Sequence, residues 1–473
     1  MLLPAIPRRP LKDPGGTDES AAARNVDAMT SGRLPRSTPE AEGLPSSAVA
    51  AFLEALDDIR FPHTAMLLRH GRVIAEATWS PYRAELPHSM FSVSKSFTSI
   101  AIGLLINEGC LSLDDLVVDL LPDELPAEVS PHLASLRLRH VLEMTVGHDV
   151  EAWPEEEVDA ALTWAQHVLA APIPHEPGKH WIYNTPSTYL LSCIVQRVTG
   201  GRMLDYLTPR LFEPLGIENP TWEQSEQGVD RGGWGLSITI EDLAVFGQFL
   251  LQRGQWDGKQ LVSAAWIDEA TTAHADNGNR ADASIESQQG YGYQFWRCRH
   301  GAYRGDGAFG QLVVIMPEQD AVFVGTGGYA DMQPVLDHLW TLLTAFDQEG
   351  PPAEIVSDRH LEVPQGEVRD ALVEHEYAGP VRHLRLTNDV LEIDDTRFVL
   401  RPGTWSTGEL LGEPVAVAGG WVDDEFVAVA RMVQTPFTNT LRLAADGSLS
   451  IVMDHGFEGP NQVVWSGSPL ESV

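Results

Sequence analysis

Positive charge is scarce in this chain. Against 67 aspartates and glutamates stand 32 lysines and arginines, leaving a net charge of −35, and only Lys12, Lys95, Lys179 and Lys259 are lysines. Such a chain repels phosphate backbones and anionic lipid surfaces, so neither nucleic acid nor a membrane is expected as a partner. Cysteine is sparser still: Cys110, Cys193 and Cys298 lie far apart, and no Cys-x-x-Cys pair occurs. A disulfide framework and a zinc ribbon are thereby excluded, and buried thiols in a reducing compartment are expected. There is no run of about eighteen apolar residues to form a transmembrane helix. The stretch Met1 to Gly32, with Arg8, Arg9, Pro10, Gly15 and Gly16, has no apolar core of the length a secretory signal needs. It reads as a disordered leader, taken as residues 1–35, and the protein as cytoplasmic. His-Glu-x-x-His is missing too, and of sixteen histidines His63, His70, His88, His140, His148, His175 and His180 are scattered through loops and turns. No metal site and no cofactor are expected.

What remains is enough chain for one large domain and a smaller one. Val49, Phe52, Leu53 and Leu56 follow Ser46 and Ser47 at helical spacing, and two short apolar runs, 65–68 and 73–79, flank His70-Gly71-Arg72 as in a β-hairpin. Helical patterns then dominate at 97–107, 160–169, 188–198, 241–252 and 335–346, with strand patterns at 291–298, 311–316 and 321–325 before the last of them. Strands at both ends with helices between predict one sheet closed by distant segments, an α+β domain over residues 36–346. Gly350-Pro351-Pro352-Ala353 marks a linker, residues 347–360. Residues 361–473 lose the helical period for alternating runs broken at Asn388-Asp389 and Asp446-Gly447, a small all-β domain.

One motif carries nucleophile chemistry. Ser92-Val93-Ser94-Lys95 opens the apolar stripe Phe97, Ile100, Ala101, Leu104 and Leu105, so Ser92 and Lys95, three apart, share a face of the first helical turn. A buried amine of lowered pKa can take the serine proton, and the helix N-terminus favours developing negative charge. Read alone, the motif is also a capped helix start with a solvated lysine, so its surroundings decide.

Those surroundings resemble the serine β-lactamases and penicillin-binding proteins. His88 to Thr98 looks like the nucleophile segment of the class C β-lactamase and esterase branch, Pro39-Glu40-Ala41-Glu42-Gly43-Leu44 resembles its opening, and Leu136 to Leu142 is similar to the segment before its active-site loop. The resemblance implies a β-lactamase/transpeptidase-like fold, an antiparallel sheet flanked by helices plus an all-helical region. By the same likeness Tyr183-Asn184-Thr185 is the second element, with Tyr183 as general base toward Ser92 and Asn184 or Thr185 bonding substrate. The third element, normally Lys/His-Thr/Ser-Gly, has Gly305-Asp306-Gly307 as its counterpart. The likeness extends there to the esterase and aminohexanoate-oligomer hydrolase branch, with an oxyanion hole from the backbone N–H groups of Ser92 and Ala308.

The third element departs from the pattern, because a cation there serves substrate carboxylates whereas Asp306 brings the opposite sign. Arg304 compensates only if it points inward; otherwise neutral or cationic esters and amides are expected to be preferred over β-lactams. The same segment satisfies Gly-x-Gly-x-x-Gly, but a strand pattern follows where a dinucleotide site needs a helix, which excludes that reading. His148 and His175 sit where they can line the cleft or serve structure, and Trp153, Trp181, Trp234 and Trp296 can wall an acyl pocket or fill the core. The reading is a serine hydrolase acting through an acyl-enzyme on small-molecule esters or amides. A β-lactamase or D-Ala-D-Ala carboxypeptidase is the enzymatic alternative, and a non-catalytic binder of the same fold the alternative from another class.

Overall fold

The computed structural model describes residues 33–153, 162–278, 283–410, 412–457 and 459–470. All but the last three residues of the expected leader lie outside these. The chain divides into two compact units, one of residues 33–78 and 84–358, the other of 79–83 and 359–473.

In the larger unit, helix α1 (Ser46–Asp57) leads into strands β1 (Pro62–Arg69) and β2 (Arg72–Ser80). Their turn places His70 at φ 49° and Gly71 at φ 72°, the two successive left-handed residues of a tight hairpin whose twist matches its strands. Helices α2 (Ser94–Asn107), α3 (Thr185–Thr199) and α4 (Ile240–Leu251) follow. Strands β3 (Trp296–Arg297), β4 (Tyr303–Gly307), β5 (Gln311–Met316) and β6 (Ala321–Gly327) and helix α5 (Gln333–Leu343) close the unit. The sheet runs β2-β1-β6-β5-β4-β3 with antiparallel neighbours, so segments from both ends of the unit meet at β1 and β6. Successive residues of a strand face opposite sides. On β6, Phe323 meets Phe52 of α1 edge-on, with ring centroids 5.4 Å apart, while on the other face Val322 comes so close to α4 that a Cβ on Gly247 would lie 2.6 Å from it. Helices thus cover both faces, which is why β1, β5 and β6 are buried along their whole length and carry unbroken apolar runs at 65–68, 312–316 and 321–324.

One expected strand shrinks. The run 291–298 gives only β3, because Gly290 (φ 105°) and Gln294 (φ 67°) take left-handed conformations that no ladder accommodates. Helix α2 is buried from Ser94 to Leu105 on all sides, with Phe97 stacked on Phe246 of α4 at 3.8 Å. That burial holds its N-terminal turn rigidly.

The smaller unit is all β. Strands β7 (Leu372–Glu376), β8 (His383–Thr387), β9 (Val390–Ile393) and β10 (Thr396–Val399) form one antiparallel sheet. Strands β11 (Ser406–Leu410), β12 (Glu413–Val422), β13 (Glu425–Met432), β14 (Thr438–Leu443), β15 (Leu449–Gly456) and β16 (Gly459–Gly467) form the other, also antiparallel. One core draws on both, including Leu384, Leu391, Phe398, Val417, Phe426 and Leu441. Among the described residues no helix is long and apolar enough to cross a membrane.

Candidate active site

The turn Phe91–Val93 delivers the chain into α2 with Phe91 at φ 45°, a conformation an aromatic residue adopts only under constraint. The constraint is visible: Ser94 Oγ donates to Phe91 O (2.6 Å) and accepts from Leu236 N (3.1 Å). Ser92 is thereby left half-buried at the head of the helix. Lys95, one turn on and 1% exposed, donates from Nζ to Ser92 Oγ (2.8 Å), Gly233 O (2.8 Å) and Thr185 Oγ1 (3.2 Å). Burial lowers its pKa to about 7, against the opposing pull of Glu151 and Asp306. Near neutrality a large fraction of this amine is therefore unprotonated.

Tyr183 stands on the other side of the lysine, its ring centroid 4.9 Å from Nζ and its phenol within hydrogen-bonding reach of Ser92. Burial, then the charge of Asp306, raises its pKa far above the ordinary tyrosine value, which opposes loss of the phenol proton. Asn184 and Thr185, expected to bond substrate, are turned to other work. Asn184 is 1% exposed, pairs with His148 Nδ1 (2.8 Å) and accepts from Ala152 N (3.3 Å), while Thr185 holds Lys95. His148 is the buried partner of that asparagine rather than a cleft wall, and burial lowers its pKa to about 4.

Strand β4 passes close to the nucleophile turn because two of its residues lack a side chain. A Cβ on Gly305 would lie 2.7 Å from Ser96 Oγ, and one on Gly307 2.3 Å from Met90 O. The opposite face of β4 carries Arg304 and Asp306. Arg304 does not reach out to substrate. It is 2% exposed and its guanidinium is committed to Asp306 Oδ2 (2.8 Å), Glu286 O (3.0 Å) and Cys298 Sγ (3.2 Å), over the Trp296 ring. Ala308 follows, half-buried, with Phe309 at φ 66° and its ring 5.8 Å from that of Phe91. A left-handed aromatic thus flanks each of the two residues expected to supply the oxyanion hole.

Residues 49–327 match the family model described as Beta-lactamase. The chain belongs to the beta-lactamase family. A 6-aminohexanoate-dimer hydrolase of Paenarthrobacter ureafaciens is 26% identical over 342 residues, 66% of this chain and 85% of that protein. Lovastatin esterase of Penicillium rubens is 26% identical over 152 residues, 27% of this chain and 37% of the esterase. The octameric penicillin-binding protein homologue of Pyrococcus abyssi shares the fold at a TM-score of 0.51 and 16% identity, covering 86% of this chain and 97% of its own. This family member is a serine hydrolase with the β-lactamase/transpeptidase-like fold.

Several residues near the beta-lactamase-family serine carry no sequence signal. Glu151 lies close enough to Lys95 to act on its charge, and burial raises its own pKa. Gly233 contributes only a carbonyl. Tyr291 and Trp296 join Trp181 and Tyr183 in one aromatic cluster, with Tyr183 stacked on Trp296 at 5.3 Å. Trp181 and Trp296 are two of the four tryptophans expected to wall an acyl pocket or fill the core, and both lie in this cluster.

Proposed function

We propose that the protein hydrolyses ester or amide bonds of small molecules through an acyl-enzyme on Ser92. The observation that carries this reading is the 2.8 Å bond between Lys95 Nζ and Ser92 Oγ, with the amine buried and its pKa near 7. Neutral Lys95 accepts the hydroxyl proton as Oγ bonds the carbonyl carbon. The C=O electron pair moves to oxygen, which takes hydrogen bonds from the N–H groups of Ser92 and Ala308. On collapse the C–O or C–N bond breaks, and the leaving group takes the proton from Lys95 by way of the Tyr183 phenol, which gives one proton and receives another. Water then attacks the acyl-enzyme by the same route reversed, restoring serine and releasing the acid.

Substrate charge follows from β4. Arg304 is neutralised by Asp306 inside the protein, so the strand offers no cation to a substrate carboxylate, and neutral or cationic substrates are favoured over penicillins and peptide C-termini. The names of an aminohexanoate-dimer hydrolase and an esterase among the relatives agree with amide or ester cleavage. Cytoplasmic location is part of the same proposal, in keeping with three unpaired cysteines, and cell fractionation tests it. The deciding experiment follows p-nitrophenyl butyrate and nitrocefin in parallel with Ser92→Ala. Ester cleavage lost in the variant supports the proposal. Dominant nitrocefin turnover replaces it with a β-lactamase, and silence on both substrates points to a specialised amidase or a non-catalytic binder.

A further inference from the structure

We propose that Asp149, His175 and His180 form a binding site for a divalent transition metal of the Zn²⁺ type, on two loops that also carry residues of the hydrolase site. The sequence gives no hint of it, since the three belong to no spaced motif. The fold assembles them. Backbone bonds His175 N to Gly147 O (3.2 Å), Gly178 N to Thr145 O (2.8 Å) and Ile182 N to Met144 O (3.2 Å) lace the segment 144–151 to the segment 175–183. Gly147, at φ 102°, lies so close to His175 O that a Cβ there would be 2.4 Å away, so this register admits little slack.

Across the laced loops one ligand atom from each of the three side chains lies within 4.8 Å of the other two. His175 Nε2 is 2.6 Å from Asp149 Oδ1, and the rings of His175 and His180 are 4.1 Å apart and tilted by 28°. Two imidazoles and one carboxylate are a donor set for Zn²⁺, Ni²⁺, Cu²⁺ or Co²⁺, and too rich in nitrogen for Mg²⁺ or Ca²⁺. Tetrahedral zinc ligands at ~2.0–2.2 Å stand roughly 3.3 Å from one another, so on loading Asp149 Oδ1 and His175 Nε2 exchange their hydrogen bond for the ion and the stacked, half-buried rings rotate to aim their nitrogens at it. Water completes the shell on the exposed side.

The placement gives the metal a consequence. Asp149 is two residues from Glu151, and His180 three from Tyr183, so an ion bridging them clamps together the loops that flank Lys95. The clamp acts by position and takes no part in the acyl transfer itself.

The test uses the full chain without a polyhistidine tag, stripped with EDTA. Titration with Co²⁺ is followed by visible absorption and with Zn²⁺ by calorimetry, for the wild type and for His180→Gln and His175→Gln, with circular dichroism confirming that the variants are folded. We expect one equivalent of Zn²⁺ to bind, a Co²⁺ spectrum of a nitrogen-ligated site, an upward shift in melting temperature on loading, and loss of all three in either variant. Binding should weaken in mild acid, because protons compete for the ligands. Absence of stoichiometric binding by the wild type, or equal binding by both variants, overturns the proposal. Should one variant fail to fold, the other and Asp149→Asn decide alone. These readouts need no turnover, so they are independent of the Ser92 assignment.

Discussion

Arg304 and Asp306, two positions apart on one face of a strand, form a buried ion pair 2.8 Å long behind the nucleophile turn. The pair has a stability consequence, because removing one partner leaves the other charge without compensation in a site of low dielectric. Arg304→Met should cost roughly 3–5 kcal/mol in a denaturant melt, with Asp306→Asn in the same background recovering part of it. A loss under about 1 kcal/mol would mean that water already reaches the pair.

Lys95 sets the acid limb of the rate. Only the neutral amine can take the Ser92 proton, so kcat/KM should rise with pH through about 7 and then level. Stability follows the same group with a definite sign. Its folded pKa lies below the ordinary lysine value, so between about pH 7 and 10 the unfolded chain holds a proton that the folded one does not, and this contribution to stability grows with pH across that window. Lys95→Met, with no charge to bury, should abolish ester hydrolysis and raise the melting temperature at pH 7. A melting temperature lowered by that substitution would show that the three hydrogen bonds of Lys95 outweigh its desolvation.

Periodicity made the fold legible where burial is one-sided or continuous. The hairpin at His70-Gly71, helix α2 behind Phe97 and strands β5 and β6 all appear in the pattern of apolar residues, and a local signal governs each of them. Residues 291–298 misled because backbone conformation at Gly290 and Gln294, which hydropathy does not encode, interrupts the ladder. Ser92, Lys95 and Tyr183 could be read from spacing and family likeness. The partners that tune them could not: Glu151, the carbonyl of Gly233 and the Asp149, His175 and His180 group reach their places through loops whose course depends on contacts distant in sequence. Arg304 is visible, but which way it points is a property of strand register, and in the structure its guanidinium bonds Asp306, Glu286 O and Cys298 inside the protein.

Tyr183 can be separated from Lys95 by the shape of the pH profile. On the proposed route the phenol relays a proton to the leaving group, so Tyr183→Phe should lower kcat by about 10²–10⁴-fold while leaving the acid limb near pH 7 in place. Loss of that limb together with the rate would make the tyrosine, and not the lysine, the titrating base.

Substrate charge offers the sharpest check on the site as a whole. With Arg304 committed to Asp306 and Glu151 close to Lys95, an anionic acyl chain on the proposed route finds no cation from β4 and loses its hydration, whereas a neutral or ammonium-tipped chain meets no such cost. Among p-nitrophenyl esters of equal chain length, kcat/KM should therefore fall from ammonium-tipped and neutral to carboxylate-tipped acyl groups. The anionic member should lie at least tenfold below the neutral one, about 1.4 kcal/mol of differential transition-state binding. Raising the salt concentration should compress the series only weakly, because the charges responsible are buried or half-buried and poorly screened. If the carboxylate-tipped ester proved the best substrate, a cation must swing into the cleft on binding. Arg304 would then have to leave Asp306, and Arg304→Met would abolish that preference while sparing the neutral ester.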